Sequence, residues 1–171
     1  MMPNTGSCQY LAIRRTGGWN GKVTKTPEDR VSDALDALRT RGGRATVPRR
    51  AILVTLLAAT HPSAAEASAH LAADGLRVEL STVHRILAAL VDAGVVHTVQ
   101  VSGTATYGMA DHAHHHTVCN RCGDIRQLPH DLVAPLVEAV NAAGVMSVDE
   151  DGRGGGVVVD GRCAADCRAA A

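Results

Sequence analysis

Apolar residues recur every three or four positions through residues 28–92, in stretches that glycine, proline and small polar residues separate. This spacing places the apolar side chains on one face of a helix and predicts four amphipathic helices. The third of these runs through Leu71 to about Asp74. The side chains expected to face the core from the first, second and fourth helices are Val31, Leu35 and Leu38; Ile52, Leu53, Leu56 and Leu57; and Val83, Ile86, Leu87 and Leu90.

The predicted helices begin and end at residues that commonly mark helix ends. Pro27-Glu28 opens the first helix. The later helices have hydroxyl side chains at their predicted N-caps, which are Thr46, Ser63 and Ser81. Glu66, three residues after Ser63, completes a capping-box pattern. The helices are expected to stop at Gly42-Gly43, at His61-Pro62 and at Gly94.

The pattern then changes to that of strands. Residues 95–101 and 104–109 are apolar and β-branched, and Ser102-Gly103 joins them, which predicts a β-hairpin. A leading helix, three further helices and a hairpin follow one another in the order of a winged helix-turn-helix.

A second, smaller unit is predicted from residue 114 onward. Short strands flank a cysteine turn, a helix follows over residues 131–143, and an acidic, glycine-rich turn over residues 149–155 joins two last strands; the four strands are residues 116–118, 124–128, 145–148 and 156–160. The residues predicted to share one side of the helix are Leu132, Leu136, Val137 and Val140. The expected fold class is therefore α+β. Its parts are a disordered tail (1–27), a winged helix (28–109), a hinge (110–113) and an α/β domain (114–168).

The two halves of the 171-residue chain differ in charge. Residues 1–100 contain 12 Lys and Arg against 8 Asp and Glu, whereas residues 101–171 contain 5 against 9, so the halves carry +4 and −4. A basic first half suits contact with a polyanion. No run reaches the ~18–20 apolar residues that span a bilayer, and residues 1–10 lack the basic-then-apolar order of a secretory signal. We therefore expect a cytoplasmic protein with no membrane partner.

Four cysteines occur as two short pairs, Cys119-x-x-Cys122 and Cys163-x-x-x-Cys167. In a cytoplasmic protein such pairs are more often metal ligands or redox groups than disulfides. Two thiolate pairs that meet in space give the tetrahedral geometry of a closed structural Zn²⁺ site. A disulfide pair and a thioredoxin-like redox motif are the alternatives. The fifth cysteine, Cys8, is predicted to be a free thiol on the tail.

A run of histidines precedes the first cysteine pair. In a strand, His114 and His116 point to one face and His115 points to the other. The first two could therefore share a metal ion, and a solvated histidine run is the alternative interpretation. His61 at a helix end and His97 in the first wing strand are further candidate ligands, and a cap or surface role is equally expected for each.

Three more histidines have less defined positions. His112 lies in the predicted hinge and is a possible additional ligand. His70 and His130 are expected to be surface residues.

The fourth helix begins Leu80-Ser81-Thr82-Val83-His84-Arg85. In a helix-turn-helix the first turn of this helix enters the major groove of DNA. Its polar side chains could bond to phosphates or base edges. An ordinary amphipathic helix with a polar face is the alternative. The candidate DNA-binding residues are Ser81, Thr82, His84 and Arg85, with Arg44, Arg49 and Arg50 around the second helix.

Four stretches of sequence together resemble the ferric uptake regulator (Fur) superfamily of metal-responsive repressors, and the resemblance covers roughly residues 28–168. Arg44-Ala45-Thr46-Val47-Pro48-Arg49 resembles R-x-T-x-x-R, and His61-Pro62-Ser63-Ala64 resembles H-P-[ST]-A. Ser81-Thr82-Val83-His84-Arg85 resembles [AS]-T-V-Y-R. His114-His115-His116-Thr117-Val118-Cys119-Asn120-Arg121-Cys122-Gly123 resembles H-H-H-x-V-C-x-x-C-G.

The resemblance implies a winged helix, a C-terminal α/β dimerisation domain, and a homodimer on a palindromic double-stranded DNA operator. It implies structural zinc at Cys119, Cys122, Cys163 and Cys167, and a regulatory metal site in the hinge. His114 and His116 match the conserved pair of that hinge site. His61 matches the histidine of iron- and peroxide-type members, and His97 matches a wing position where zinc-type members carry aspartate.

The sequence also departs from the family pattern. Gly108 lies at or beside the usual position of a Glu, Asp or Cys ligand, and Met109, Asp111 and His112 are the candidates to replace it. A further family site falls near Ala134 and Gly155 and is expected to be lost. His84 replaces the usual tyrosine of the recognition helix.

A histidine-rich hinge without a clear carboxylate favours Zn²⁺ as the regulatory metal over Fe²⁺, Ni²⁺ or Mn²⁺. The expected function is therefore a zinc-responsive repressor, not an enzyme, with no small-molecule substrate. The alternatives are an iron-, nickel- or peroxide-responsive regulator of the same family, a zinc-dependent hydrolase and a metal-storage protein. A hydrolase would need a general base beside the ligands, and Asp111 is the only nearby acid in the sequence.

Overall fold

A computed structural model describes residues 25–59, 61–112, 114–144 and 156–163. The helices and strands in chain order are α1 (Pro27–Thr40), α2 (Val47–Ala58), α3 (Ala64–Ala73), α4 (Leu80–Asp92), β1 (Val96–Val101), β2 (Thr104–Met109), β3 (His115–Cys119), β4 (Ile125–Leu128), α5 (His130–Ala142) and β5 (Val158–Gly161). Four helices and a two-stranded wing form one unit, and a three-stranded sheet with one helix forms the other. The predicted α+β fold class is confirmed.

The helix starts follow from local capping chemistry. Ser63 Oγ accepts from the backbone N–H of Glu66 at 3.2 Å, and the Glu66 carboxylate accepts from Ser63 N–H at 2.7 Å, which confirms the predicted capping box. Thr26 and Asp29 form a second box at the start of α1. Thr46 occupies the N-cap of α2, but its side chain makes no capping hydrogen bond.

The prediction that Ser81 caps the fourth helix is wrong. Helix α4 begins at Leu80, with Glu79 at the N-cap. The backbone N–H groups of Thr82 and Val83 already donate to the Glu79 carbonyl, at 2.8 and 3.0 Å. Ser81 therefore lies within the first helical turn, where its side chain is exposed.

The core of the winged helix is aliphatic, as the predicted stripes require. The core-facing residues predicted for α1 and α4 are all buried, and in α2 only Leu57 is left half-buried. Each fully buried Leu, Ile or Val contributes roughly 1.5–3 kcal/mol relative to an exposed position. Helix packing thus fixes where α4 and the wing lie.

The wing is an antiparallel hairpin in which β1 pairs with β2 and His97 lies opposite Gly108. Its two turn residues, Ser102 and Gly103, have φ values of 48° and 82°. Two successive positive φ values are typical of a type I′ turn, whose twist matches that of the strands. The predicted hairpin is confirmed.

The second unit has the strand order β4-β3-β5. Strand β3 pairs antiparallel with β4 and parallel with β5. The strand predicted at residues 145–148 and the turn predicted at 149–155 lie outside the described residues. A small apolar cluster of Val99, Val118 and Ile125 joins the wing to this sheet.

Helix α5 buries a different face from the one predicted. Val133 and Val137 are buried, whereas Leu132 and Leu136 are 68% and 52% exposed. The sequence shows apolar residues on both faces of this helix, and the structure buries the face that carries Val133 and Val137.

None of the helices in the described ranges combines the length and the apolar character needed to cross a bilayer.

Candidate metal centres and DNA-facing helix

Four histidines from separate parts of the chain meet between the two units. They come from the loop after α2, from β1, and from the start of β3: His61, His97, His114 and His116. One nitrogen from each lies within 4.8 Å of the chosen nitrogens of the other three. Their exposed fractions are only 6%, 2%, 2% and 0%, in chain order. We call these four residues the histidine group.

The histidine group leaves buried ring nitrogens without hydrogen-bond partners. The Nε2 atoms of His61 and His97 are 3.0 Å apart and share a hydrogen bond. Within the part of the chain that the structure describes, His61 Nδ1, His97 Nδ1 and His114 Nε2 have no partner. A buried polar atom without a partner costs about 1–3 kcal/mol. Imidazole nitrogens from four residues that lie within 4.8 Å of one another are an arrangement that a divalent metal ion would satisfy.

Burial also sets the protonation state of the group. Burial, with a smaller contribution from His114, lowers the pKa of His61 to about 4. Burial followed by the neighbouring imidazoles lowers the pKa of His97 to about 3. Burial likewise lowers the pKa of His114. These three lowered pKa values favour neutral imidazole, which is the form of histidine that binds metals.

Local structure explains why these side chains converge. Side chains alternate along a strand, so His114 and His116 enter the group while His115 points away, as predicted. His61 has a φ of 52°, a conformation that residues with side chains seldom adopt. The loop is held against the wing because Tyr107 N–H donates to the Pro62 carbonyl at 3.0 Å.

A chain of contacts leads from α1 to His114. Arg30 donates from Nε and Nη2 to both carboxylate oxygens of Asp111, whose Oδ1 is 2.8 Å from His112 Nδ1. Burial raises the pKa of Asp111, but the hydrogen bonds from His112 and Arg30 outweigh this effect and hold it below its usual range. His114 Nδ1 donates to the His112 carbonyl at 2.8 Å, so Nε2 of the neutral ring carries the free lone pair.

The predicted substitutes for the ligand at Gly108 do not join the group. Asp111 and His112 contact each other, and Met109 packs in the helical core. The ring of His112 stacks on His114 with centroids 4.5 Å apart, so it supports a member of the group.

His115 forms a separate pair on the other face of β3. The backbone N–H of Val157 donates to His115 Nδ1 at 3.0 Å, so Nε2 carries the proton and donates to His130 Nδ1 at 3.0 Å. The prediction of a surface position for His130 is therefore wrong, since its ring is half-buried and stacked on His115. The expected surface position of His70 is confirmed.

Three of the predicted zinc ligands lie together at the end of the small sheet. The sulfur atoms of Cys119, Cys122 and Cys163 all lie within 4.8 Å of one another, and those of Cys122 and Cys163 are 3.8 Å apart. None of these three forms a disulfide. Backbone N–H groups of Cys122 and Arg121 lower the pKa of Cys119 to about 6, which favours the thiolate that binds metal. Cys167 and Cys8 lie outside the described residues.

The candidate DNA-binding residues lie mainly on exposed surface. In the first turns of α4, Ser81, His84 and Arg85 are exposed and Thr82 is half-buried. Arg85 Nη2 donates to Thr82 Oγ1 at 2.9 Å. Arg44 and Arg50 are also exposed, whereas Arg49 is half-buried and donates to the Arg44 carbonyl at 2.7 Å.

The fold joins a winged helix to a small α/β unit. One group of imidazoles lies between the two units, and one group of thiols lies in the sheet. These features define a metal-binding protein of the winged-helix DNA-binding class. The sequence profile described as the Ferric uptake regulator family matches residues 40–149. The chain belongs to the ferric uptake regulator family. Members of this family are metal-responsive, DNA-binding transcription regulators, not enzymes, and the predicted membership is confirmed.

Individual relatives agree with this assignment. The ferric uptake regulation protein of Vibrio vulnificus is 31% identical over 117 residues, which are 66% of this chain and 78% of that protein. The solved structure of the ferric uptake regulator from Pseudomonas aeruginosa with manganese is 30% identical, with a TM-score of 0.60 over 76% of this chain and 97% of that one. The Vibrio cholerae ferric uptake regulator is 27% identical, with a TM-score of 0.58 over 75% and 98%.

Proposed function

We propose that this protein is a zinc-responsive repressor in which the histidine group holds the regulatory metal. The observation that carries the proposal is the convergence of four buried imidazoles from both units of the protein. One divalent ion could bind a nitrogen atom of each ring, because these four atoms lie within 4.8 Å of one another. A bound ion supplies a cross-link between the two units.

The donor set favours zinc as the signal. Within the described residues, the group of potential ligands contains nitrogen only, with no carboxylate. Imidazole suits Zn²⁺, Ni²⁺, Cu²⁺ and Fe²⁺, whereas Mn²⁺ prefers carboxylate and carbonyl oxygen. Asp111 is the nearest acid in sequence to His112 and His114, and it is held by Arg30. The same feature argues against a hydrolase, which would need a free general base beside the ligands.

The residues of the histidine group would transmit the signal through geometry. His97 belongs to the wing and His61 to the loop beside it, while His116 belongs to the sheet of the second unit. When these side chains share one ion, the angle between the winged helix and the second unit is fixed. In a dimer that angle sets the distance between the two α4 helices, and a palindromic operator accepts only one half-site spacing. Metal and operator then favour the same conformation, so each strengthens binding of the other.

The cysteine group would hold structural zinc. Cys119, Cys122 and Cys163 supply three sulfur atoms, and Cys167 is the expected fourth ligand. A closed four-thiolate site contributes to folding rather than to sensing.

The exposed apolar surface of the second unit supports a homodimer. Large apolar side chains are exposed on α5 and β5: Leu132, Leu136, Val158 and Val159. Leu132 and Leu136 are four residues apart and lie on one face of α5, and neighbouring exposed apolar residues are typical of a protein interaction site. DNA contact would fall to α4, through Ser81, Thr82, His84 and Arg85, with Arg44, Arg49 and Arg50 near the phosphates.

Operator affinity measured with each metal tests the function. An operator is first selected from random duplexes with protein whose bound metal has been counted. We expect Zn²⁺ to raise operator affinity about 5–150-fold, with smaller effects of Fe²⁺, Ni²⁺ and Mn²⁺. His116→Ala should abolish the response, and His70→Ala, at an exposed histidine of α3, should retain it. Metal-independent DNA binding would contradict the switch, and binding of metal without salt-dependent DNA affinity would indicate metal storage.

A further inference from the structure

Gly108 occupies a position where the backbone does not require glycine. It lies in β2 opposite His97, it is buried, and its φ is not in the left-handed region. Glycine within a strand weakens the strand and often marks a close approach by another group. The reason for glycine here therefore lies in what packs against it.

Two imidazoles fill the space that a side chain at Gly108 would need. A Cβ atom on this residue would lie 2.7 Å from His97 Cε1 and 2.8 Å from His61 Cδ2, and it would also collide with His61 Nε2. Carbon atoms that are not bonded to each other make favourable contact at about 3.5–4.0 Å. Even one methyl group would therefore force at least one of the two rings to move.

The two rings are not equally able to move. His97 is held in the wing by the ladder of β1 with β2. His61 comes from a loop held to β2 at Pro62 and Ser63, and its Nε2 is the atom nearest to the new Cβ. Both rings lie against His116, with centroids 4.9 Å and 4.6 Å away, so the space around them is already occupied. A side chain on residue 108 would therefore displace His61 in preference to His97.

We propose that Gly108 determines the metal specificity of the histidine group, because the missing side chain admits both His61 and His97 and so produces a site of four imidazoles without a carboxylate. The inference rests on the metal-binding role proposed above for that group. A side chain here would remove one imidazole from the site. A carboxylate here would shift the preference from Zn²⁺ toward ions such as Mn²⁺ that favour oxygen.

The first test is a double-mutant cycle that combines Gly108→Ala with His61→Ala. Zn²⁺ affinity is measured by competition with a chromophoric chelator. The protein retains zinc at the cysteine group throughout. In a parallel measurement, the visible absorption of Co²⁺ bound at the histidine group reports the number and type of its ligands. We expect each single variant to weaken Zn²⁺ binding by at least about 10-fold. The double variant should be no weaker than either single variant, because both changes remove the same imidazole.

The second test is Gly108→Asp, which places the shortest carboxylate beside His97. The ratio of Mn²⁺ affinity to Zn²⁺ affinity should rise by at least about 10-fold relative to the unchanged protein. The matched control is Gly161→Ala, at a strand glycine of β5 where a Cβ atom would meet nothing within 4 Å. This control should alter neither affinity.

The outcomes separate this inference from the proposed function. Unchanged Zn²⁺ affinity in Gly108→Ala, with binding lost in His116→Ala, would overturn the role of Gly108 and leave the histidine site in place. Unchanged affinity in His116→Ala would contradict the site itself. If Gly108→Ala does not fold, the double variant should fold and bind like His61→Ala, because loss of the His61 ring leaves space into which the ring of His97 can shift away from the new Cβ atom. Failure of the double variant to fold would show that glycine is needed for another reason and would overturn the proposal.

Discussion

Arg30 in α1 pairs with both carboxylate oxygens of Asp111, which lies 81 residues later in the segment that follows the wing. Asp111 in turn contacts the ring of His112, and the carbonyl of His112 accepts the Nδ1 proton of His114. The first helix is thereby connected to a member of the histidine group. Mutation of an outer residue that orients a ligand typically costs about 10–100-fold in metal affinity.

Asp111→Asn should weaken metal binding while the protein stays folded. A neutral amide cannot reproduce the paired acceptors for Arg30, so the segment that positions His114 becomes looser. We expect Zn²⁺ affinity at the histidine group to fall about 10–100-fold and the free energy of unfolding to fall about 1.5–3 kcal/mol. Chelator competition and urea unfolding measure the two effects. Asp36→Asn, which removes the exposed partner of Arg39 on the same helix, is the control and should change neither. Equal Zn²⁺ affinity in both variants would show that the network does not position His114.

Protein without metal at the histidine group, but with zinc at the cysteine group, should lose stability as the pH falls below ~6.5. The pKa of His61 is lowered to about 4 and that of His97 to about 3, mainly by burial, whereas an unfolded histidine titrates near ~6.5. The unfolded chain therefore binds more protons in this interval, and stability is full above ~6.5 and declines toward ~4. Urea unfolding between about pH 7.5 and pH 5 measures the decline. His61→Leu with His97→Leu should reduce the slope, and stability that rises on acidification would refute the assignment.

The affinity of the folded protein for metal should depend on pH less strongly than its stability does. Burial lowers the pKa values of His61, His97 and His114, so few protons compete with the metal at these three rings near neutral pH. Zn²⁺ affinity should therefore change little between about pH 7.5 and pH 6. A fall of tenfold or more over that interval would mean that these histidines titrate near their ordinary pKa.

Loss of a cysteine and loss of a histidine should have different consequences. Cys122→Ala removes a sulfur from the group that closes the end of the sheet, and it should unfold the second unit or make the protein monomeric. His116→Ala should leave fold and dimer intact and remove the metal response. Circular dichroism, sedimentation and zinc counting distinguish the two. An equal, moderate loss of operator affinity in both variants would contradict the division into structural and regulatory metal.

Leu136→Glu should make the protein monomeric. Leu136 is 52% exposed on a different face of α5 from the buried Val133 and Val137, and a buried charge without a partner in a dimer interface is strongly unfavourable. Sedimentation velocity measures the change in mass. Val47→Glu is the control, because Val47 is 72% exposed but belongs to the winged helix. Monomers in both variants, or in neither, would show that this face of α5 is not the dimer contact.

The sequence predicted the winged helix closely, because its signals are local. The stripes of α1 and α4, the Ser63–Glu66 box and the wing turn each depend on residues within one or two helical turns of one another. The error at Ser81 is of the same kind, since Glu79 and Ser81 are both able to precede a helix and the hydrogen bonds that choose between them appear only in the folded backbone.

Predictions that depend on packing succeeded less often. The exposed side of α5 could not be identified, because the helix has apolar residues on both faces and the sequence does not state which face meets the sheet. The contact of His130 with His115 and the pairing of Arg30 with Asp111 join residues with no common local pattern. The proposed role of Gly108 could not be predicted from the sequence either, because glycine has no side chain that could indicate a function.

By itself, the sequence determined the family, the helical unit and the histidines and cysteines able to bind metal, because these depend on residue type and short-range spacing. The tertiary structure alone decided which of those residues meet. From the sequence alone, His61 and His97 were as consistent with ordinary structural roles as with metal binding. The folded chain places their Nε2 atoms 3.0 Å apart. A metal site is defined by distances of a few ångströms between residues far apart in sequence, and only the packed core and the paired strands set those distances.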